Sequence, residues 1–331
     1  MMREPGFWWR KAGLTSSLLA PLGHFYGGIA ARRMARRGTR AGVPVLCVGN
    51  FTLGGAGKTP TAIMLAKLLR DAGQTPFCLT RGYGGSATGP HLVDPDIDPA
   101  TEVGDEALIL GHFAPTIVAR DRVLGAHFAK AKGASVVIMD DGLQNASLAK
   151  DLTIAVIDGP RGIGNACVFP AGPLRAPFAA QLARTDALLV VGNAVGAHEV
   201  VAQAGSRPVF RATLTPDPTA VTELHGRKVL AFAGIGDPAK FFTTVERAGI
   251  EIKSRRAFAD HHRFSAEEAA ELVMQADHDG LTLLTTEKDH ARMAGDPALA
   301  ALAVKALVLP VTMQVDEIDA LRVLVMGALK R

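Results

Sequence analysis

The sequence predicts an α/β fold with a mostly parallel sheet, followed by a second, smaller α/β domain. Two observations support this prediction. Strand-sized apolar runs alternate with segments of helical spacing along most of the chain. The 331 residues are 48% hydrophobic, which is enough for a sizeable core and, by length, for two domains.

A glycine-rich loop joins the first strand of this alternation to the first helix. Residues 45–48 are an apolar run typical of a buried strand, residues 49–60 read GNFTLGGAGKTP, and residues 63–69 have helical spacing. Glycines let backbone N–H groups surround phosphate oxygens, and the following helix N-terminus favours the same charge. The segment therefore predicts a P-loop NTPase-like domain in which Lys58 reaches the β- and γ-phosphates and Thr59 ligates Mg²⁺. The alternative is an ordinary glycine-rich turn with a solvated lysine.

Further strands follow the loop, and one of them ends in two carboxylates. Residues 75–80 form an apolar strand that ends in the turn Arg-Gly-Tyr-Gly-Gly, and residues 135–139 are another apolar run. Asp140 and Asp141 come directly after this run. An acid in this place holds Mg²⁺ directly or through water in phosphate-loop proteins. The competing interpretation is a strand that ends in an acidic turn.

The texture of the sequence changes near residue 195. We expect an N-terminal segment over residues 1–40, a P-loop ATP-binding domain over 41–192 and a smaller α/β domain over 193–331. In the smaller domain Ser265 is the predicted cap of a helix. The last helix, residues 316–329, could return to the first domain.

The N-terminal segment is basic and aromatic. Residues 1–40 contain eight Lys or Arg residues against a single Glu, in a chain whose net charge is +4, and both tryptophans follow Phe7. The apolar stretch after them is interrupted by Pro21 and His24 and is too short to span a bilayer. Such a segment suits a helix lying on an anionic membrane surface. Nucleic-acid binding through the same arginines and a solvated helix packed on the domain are the alternatives.

Composition also bears on the compartment. The three cysteines lie far apart and show neither metal spacing nor a disulfide framework. A reducing cytosolic compartment is therefore expected, with buried thiols. No cleavable signal peptide is indicated.

Phosphoryl transfer to an alcohol needs a group that orients and deprotonates the acceptor hydroxyl. Asp105 and the Asp260-His261-His262 cluster are the candidates in this sequence. Histidine titrates near neutral pH and suits the task. A structural role for His261 is the alternative.

Together these motifs resemble the lipid A 4′-kinases, the tetraacyldisaccharide 4′-kinase family. The resemblance spans residues 45–290 and rests on motifs in the family's order: residues 48–60, including the threonine in the early loop position, Arg81-Gly82-Tyr83-Gly84-Gly85, Gly104-Asp105-Glu106, Asp140-Asp141-Gly142-Leu143-Gln144, Pro170-Ala171-Gly172-Pro173-Leu174-Arg175, Asp260-His261 and Thr286-Glu287-Lys288-Asp289.

The resemblance implies transfer of the γ-phosphate of ATP, with Mg²⁺, to the 4′-hydroxyl of tetraacyldisaccharide 1-phosphate. The product would be lipid IVA, an intermediate of lipid A synthesis. The expected location is the cytoplasmic face of the Gram-negative inner membrane, where the enzyme is peripheral and its N-terminal helix docks on the lipid. We expect a monomer that binds an acylated disaccharide lipid and no nucleic acid.

The resemblance also assigns roles to particular residues. Asp105 and His261 would be the catalytic pair, brought together by closure of the two domains. The other assigned residues are those that bind ATP (Thr52, Leu53, Gly54, Gly55, Ala56, Gly57, Lys58 and Thr59), those on the metal side (Thr59, Asp140, Asp141 and Glu106) and those that contact substrate or phosphate (Arg81, Tyr83, Gln144 and Arg175). The chain departs from many relatives at Ala176, where they have glutamate.

Two other classes of protein are compatible with parts of the sequence. A soluble P-loop NTPase acting as a switch or metallochaperone would need the phosphate loop, but neither the basic aromatic N-terminus nor His261. A basic binding module with a vestigial glycine loop would need only the N-terminal charge.

Overall fold

Two β-sheets, one of nine strands and one of four, organise the part of the chain that the structure describes. The computed structural model describes residues 4–330. Within them the strands are β1 (Val45–Gly49), β2 (Pro76–Thr80), β3 (His91–Leu92), β4 (Thr116–Val118), β5 (Val136–Asp140), β6 (Leu152–Asp158), β7 (Ala187–Val191), β8 (Val209–Pro216), β9 (Lys228–Ala233), β10 (Glu251–Ala257), β11 (Thr282–Thr285), β12 (Leu307–Val308) and β13 (Val311–Val315).

The nine-stranded sheet is mostly parallel. Its strand order is β13-β8-β7-β6-β1-β5-β2-β4-β3. The inner strands pair in parallel, whereas the edge strands β13 and β3 pair antiparallel with their neighbours. Parallel neighbours require crossover connections, which helices usually supply. The predicted α/β class, with a P-loop NTPase-like sheet, is confirmed.

Helices cover both faces of this sheet. Leu46 and Val48 of β1 share an apolar core with helices α2 and α13, whereas Val45 shares the opposite core with α5. Within the described residues the helices are α1 (Leu14–Met34), α2 (Lys58–Asp71), α3 (Ala100–Val103), α4 (Asp105–Gly111), α5 (Arg122–Ala131), α6 (Phe178–Leu182), α7 (His198–Ala202), α8 (Pro218–Leu224), α9 (Pro238–Arg247), α10 (Ala266–Asp279), α11 (Glu287–Met293), α12 (Ala300–Lys305) and α13 (Ile318–Ala328).

The four-stranded sheet is entirely parallel, in the order β10-β9-β11-β12. Its central strand β9 is buried on both sides, with Phe232 in the core under α10 and Ala231 in the core under α9. Helix α10 begins with a capping box, in which the Ser265 hydroxyl accepts from the backbone of Glu268 and the Glu268 carboxylate accepts from the backbone of Ser265. This confirms the predicted cap.

The chain leaves the large sheet and returns to it. Strand β8 pairs with β7, although it lies beyond the expected boundary at residue 193. After the smaller sheet, β13 pairs antiparallel with β8, and α13 packs into the core of the large sheet through Leu321 and Val325. The smaller sheet is therefore an insertion between β8 and β13.

The N-terminal segment forms a short 3₁₀ helix, Gly6–Trp9, followed by α1. Trp8 is buried, and its indole Nε1 donates to the Pro170 carbonyl. Helix α1 packs through Gly23 and Gly27, where a Cβ would approach Val168 and Pro177. In the described part of the chain, none of the helices combines the length and apolar character needed to cross a bilayer.

Candidate active site

The phosphate loop lies at the carboxyl end of β1 and leads into the first turn of α2. Gly54 and Gly57 have φ angles of 98° and 95°, a left-handed conformation that glycine adopts without strain. The Leu53 N–H donates to the Pro173 carbonyl at 2.8 Å, which ties the loop to the segment before Arg175. The sequence prediction of strand, loop and helix in this order is confirmed.

Lys58 points into the site rather than into solvent. Its side chain is 9% exposed, and Nζ donates to Asn50 Oδ1 at 3.3 Å and lies 3.8 Å from an oxygen of Asp141. Burial lowers the pKa of Lys58, and the charge of Asp141 opposes this shift. A buried ammonium at the start of a helix, beside a glycine loop, is a binding site for phosphate oxygens. The solvated-lysine alternative is excluded.

Asp140 and Asp141 follow one another, yet their surroundings differ. Asp141 accepts two hydrogen bonds from Arg175, at 2.7 and 2.9 Å. Burial raises the pKa of Asp141, but Lys58 and Arg175 lower it further and hold it below its usual range. Asp140 is 1% exposed, and neither of its carboxylate oxygens has a hydrogen-bond partner among the described residues. Burial and the neighbouring carboxylates of Glu106 and Asp141 raise the pKa of Asp140 to about 7.

The unpartnered carboxylate of Asp140 fits a bound cation. A buried carboxylate without a partner is costly, and a cation would offset that cost. Among residues 4–330, no group of three or more His, Cys, Asp or Glu side chains is arranged to hold a metal by itself. Mg²⁺ does not require such a group, because it binds through one or two carboxylates together with substrate phosphates and water.

Asp105, in the domain of the nine-stranded sheet, lies close to His261, in the domain of the four-stranded sheet. Asp105 is the first residue of α4 and is 3% exposed. His261 follows β10, has a φ of 53° and places Nδ1 3.3 Å from Asp105 Oδ2. Its ring centroid lies 5.0 Å from that of Tyr83. The structure thus brings together the two predicted catalytic side chains, which are far apart in sequence.

Two basic residues of α11, for which no role was predicted from the sequence, also reach this position. Arg292 Nε donates to Asp105 Oδ2 at 2.8 Å, and Lys288 Nζ donates to Glu106 Oε1 at 2.6 Å. Burial raises the pKa of Asp105, but the hydrogen bond from His261 and the charges of Arg292 and Lys288 lower it further, well below its usual range. The only sequence signal was Lys288 within the motif of residues 286–289.

The remaining predicted residues divide into supporting and exposed groups. Gln144, predicted to contact substrate, donates through its amide to the Asn50 carbonyl at 2.8 Å and to Gln181 at 2.7 Å. Arg175 supports Asp141 and donates to the Thr52 carbonyl at 2.9 Å. Arg81 and Tyr83 follow β2 and are exposed. Glu106, predicted on the metal side, is paired with Lys288, and its charge also acts on Asp140.

A further charged group joins the N-terminal segment to the site. Arg161 donates to Glu4 at 3.0 Å and to Asp237, in the smaller domain, at 2.6 Å. Its guanidinium lies 4.7 Å from the Trp9 ring. A Cβ on Gly54 would overlap the Glu4 carboxylate, so Glu4 lies directly against the phosphate loop. None of these contacts was predicted from the sequence.

The site combines a phosphate loop, a buried lysine, an adjacent buried carboxylate and a histidine–carboxylate pair. These features together define the class of P-loop phosphotransferases. Comparison with known proteins specifies the family. A family model described as tetraacyldisaccharide-1-P 4′-kinase (LpxK) matches residues 15–329. The chain belongs to this family.

Individual relatives agree with this assignment. The chain is 52% identical to the tetraacyldisaccharide 4′-kinase of Nitrobacter winogradskyi, over 100% of this chain and 98% of that protein. It is 54% identical to the protein of the same name from a Bradyrhizobium species, over 98% and 94%. Among solved structures, LpxK from Aquifex aeolicus, described as an "apo" form in complex with ATP, superposes with a TM-score of 0.74 at 26% identity, covering 96% of this chain and all of that one.

Proposed function

We propose that this protein transfers the γ-phosphate of ATP to the 4′-hydroxyl of tetraacyldisaccharide 1-phosphate and so forms lipid IVA in lipid A biosynthesis. The names of its relatives give the reaction. The observation that carries the proposal is the contact between His261 and Asp105 across the two domains. A nucleotide hydrolase acting as a soluble switch has no need of such a pair, whereas transfer to a sugar alcohol does.

The phosphate loop holds the nucleotide in this proposal. The backbone amides of residues 52–59 and the Lys58 ammonium bind the triphosphate. The positive charge of Lys58 stabilises the negative charge on the phosphate oxygens in the transition state. Thr59, Asp140 and Asp141 would hold Mg²⁺, which neutralises phosphate charge when bound. Of the two aspartates, Asp140 is the better metal ligand, because Asp141 is already paired with Arg175.

His261 accepts the proton of the sugar hydroxyl. Asp105 is held ionised by Arg292 and receives the Nδ1–H of His261, which leaves Nε2 as the basic nitrogen. As the hydroxyl oxygen bonds to the γ-phosphorus, its proton moves to Nε2 and the bond to ADP breaks. The imidazolium that forms is stabilised by the Asp105 carboxylate.

The N-terminal segment would place the enzyme on the membrane. Leu14, Leu18, Leu22 and Phe25 of α1 are between 60% and 86% exposed and recur at helical spacing. Arg32 and Arg33 lie in the last turn of the same helix. An exposed apolar face beside basic residues suits an anionic lipid surface. The proposed location is the cytoplasmic face of the Gram-negative inner membrane, as a peripheral monomer.

Substitution of the catalytic pair tests the reaction. We expect Asp105→Ala and His261→Ala each to lower turnover by about 100-fold to 10,000-fold, the range for a lost general base. Affinity for ATP should stay nearly unchanged, because neither side chain belongs to the phosphate loop. Turnover is measured on the lipid disaccharide in mixed micelles, with the position of the product phosphate mapped.

A thermal-shift measurement with nucleotide provides the control for this prediction. Lys58→Ala should abolish the thermal stabilisation by nucleotide, whereas Lys305→Ala, on the exposed surface, should behave as the wild type. A loss of ATP affinity as large as the loss of rate in the Asp105 and His261 variants would contradict their roles. ATP hydrolysis that does not depend on the acylated disaccharide would favour the soluble switch.

A further inference from the structure

We propose that Arg292 is a positioning residue for phosphoryl transfer: its guanidinium, carried by the smaller domain, aligns Asp105 of the larger domain and through it His261. The inference rests on the proposed function in that it assumes the role of His261. Arg292 would set the geometry of Asp105 and His261 without contacting the reacting atoms itself.

The contacts of Arg292 define a rigid arrangement. Its side chain is 6% exposed, and the ion pair with Asp105 has an Nη2–Oδ2 distance of 2.7 Å in addition to the bond from Nε. Its Nη1 donates to the Gly234 carbonyl at 2.7 Å and to Asp289 Oδ1 at 2.8 Å. Because the guanidinium is planar and its donors are fixed, these three acceptors hold its orientation. Arg292 therefore presents one fixed edge to Asp105.

Asp105 is in turn fixed at both of its oxygens. The Glu106 N–H donates to Oδ1 at 2.9 Å, whereas Oδ2 faces Arg292 and Nδ1 of His261. The backbone contact holds one side of the carboxylate and Arg292 holds the other, so the plane of the carboxylate is set. His261 receives its orientation from this plane. Loss of Arg292 leaves a buried carboxylate free to rotate away from the imidazole.

Contacts within the smaller domain fix the position of Arg292. Asp289 is fully buried, accepts from the Gly234 N–H at 3.0 Å and from the Thr286 hydroxyl at 2.6 Å, and pairs with Arg292 through the oxygen that faces Gly234. Thr286 is also the cap of α11. The start of α11 thus fixes Asp289, which fixes Arg292, which fixes Asp105. A continuous set of contacts runs from the fold of the smaller domain to the proposed base.

Lys288 on the same helix provides an internal contrast. It lies one helical turn before Arg292 and pairs with Glu106, the neighbour of Asp105. Both cations join the two domains, but only Arg292 contacts the carboxylate that faces His261. A residue that merely holds the domains together would lower the rate to the same extent with and without His261. A residue that positions the base loses its effect on the rate once His261 is removed.

The experiment compares Arg292→Gln and Arg292→Lys with the wild type in the mixed-micelle assay. We expect Arg292→Gln to lower kcat by about 100-fold, the lower end of the range for general-base catalysis, with KM for both substrates and the affinity for ATP within about twofold. Arg292→Lys should recover about tenfold of this loss, because an ammonium keeps the charge near Asp105 but makes fewer fixed contacts. Arg255→Ala, which removes an exposed ion pair in the smaller domain, should leave the kinetics unchanged.

A double variant separates positioning from interface stability. Because Arg292 acts through Asp105 on His261, Arg292→Gln should cost little further rate in a His261→Ala background. Equal losses in both backgrounds would overturn the inference, as would a normal kcat in Arg292→Gln. If Arg292→Gln fails to fold, as judged by its thermal transition, Arg292→Lys alone and with His261→Ala decides the question. Failure of the proposed function is distinguishable, since His261→Ala by itself would then be active.

Discussion

At the scale of single residues, Asp140 and Asp141 show how position alone separates two identical side chains. Asp141 is paired with Arg175, whereas Asp140 is buried and neither of its oxygens has a hydrogen-bond partner within residues 4–330. The ionised form of Asp140 is therefore disfavoured in the folded protein, and a raised pKa of about 7 expresses this. A cation at this position would convert a destabilising charge into a ligand.

Removal of the Asp140 charge should stabilise the metal-free protein. The pKa of Asp140 is raised on folding, so stability falls as pH rises from the ordinary carboxyl range through about 7. We expect Asp140→Asn, in a chelator, to increase the free energy of unfolding by about 1–3 kcal/mol at pH 8 and by less at pH 6. Denaturant unfolding at both pH values measures this. Turnover with Mg²⁺ should fall in the same variant; a less stable variant at pH 8 would contradict the prediction.

The thiols give a second prediction at this scale. Burial raises the pKa of Cys47 to about 11 and that of Cys78 to about 12, whereas Cys167 is partly exposed. At pH 8 the two buried thiols hold almost no thiolate and are shielded from reagents. We expect an aromatic disulfide reagent to label one cysteine in the native protein and all three after denaturation. Rapid labelling of Cys47 or Cys78 in the native state would show that β1 or β2 opens readily.

The sequence predicted the residues whose spacing is diagnostic, and it could not reveal those that act through contacts. Lys58 belongs to a local motif, so its place in the loop follows from the chain itself. Arg292 looks like any basic residue of a short helix, and its partner Asp105 is far away in sequence. Gln144 was assigned to substrate because of its motif, and its hydrogen bond to the Asn50 carbonyl could not be read from the sequence.

At the scale of elements, α1 has two faces with different tasks. Its packed face contains Ser16, Gly23 and Gly27, and its outer face carries exposed leucines. The glycines permit close approach to the segment around Val168, which keeps the outer face turned to solvent. An exposed apolar face of this kind indicates a site of interaction with a protein or a membrane.

A charge on the outer face of α1 should weaken binding to lipid. We expect Leu18→Glu to reduce sedimentation with anionic phospholipid vesicles several-fold, because it removes apolar contact and adds repulsion. Val304→Glu is the matched control, since Val304 is 85% exposed on α12 and Leu18 is 80% exposed. If Leu18→Glu and Val304→Glu both sediment like the wild type, this face of α1 is not the membrane contact.

Elements with strong local signals were predictable, and weak edge strands were not. Ser265 and the acidic first turn of α10 mark a helix start in any context. Strand β10 reads EIKSRRA and lies at the edge of its sheet, where charged side chains are tolerated because one side faces water. Its pairing with β9, rather than its composition, makes it a strand.

At the scale of the whole molecule, several charged contacts bridge the two domains. Arg161 pairs with Asp237, and Lys240 pairs with Asp158, which is 7% exposed. These ion pairs involve parts of the sequence other than Asp105 and His261, but they join the same two domains. We infer that they favour the arrangement in which Asp105 and His261 are in contact.

Loss of these bridges should lower the rate through domain opening. We expect the double variant Asp237→Ala, Lys240→Ala to reduce kcat several-fold, because each partly exposed pair contributes up to about 1 kcal/mol to closure. ATP affinity should be retained, since the phosphate loop belongs wholly to the larger domain. Turnover and small-angle scattering with a nucleotide analogue measure the effect. An unchanged radius of gyration together with a normal rate would refute it.

Length and alternation predict two domains, but they do not predict the path of the chain. A linear interpretation places one boundary near residue 193, whereas β8 still pairs in the large sheet and β13 returns to it. Return of a chain to an earlier sheet depends on pairing between distant strands. The last helix, which by the sequence could return to the first domain, shares the core of the large sheet with α2.

The insertion between β8 and β13 has a mechanical consequence. Its two connecting strands run side by side: the Asp217 N–H donates to the Pro310 carbonyl at 2.9 Å, and Val311 pairs with Pro216. A domain joined to the large sheet through two adjacent, hydrogen-bonded connections has less freedom to rotate than a domain on a single linker. We therefore expect the encounter of His261 with Asp105 to cost little rotational entropy.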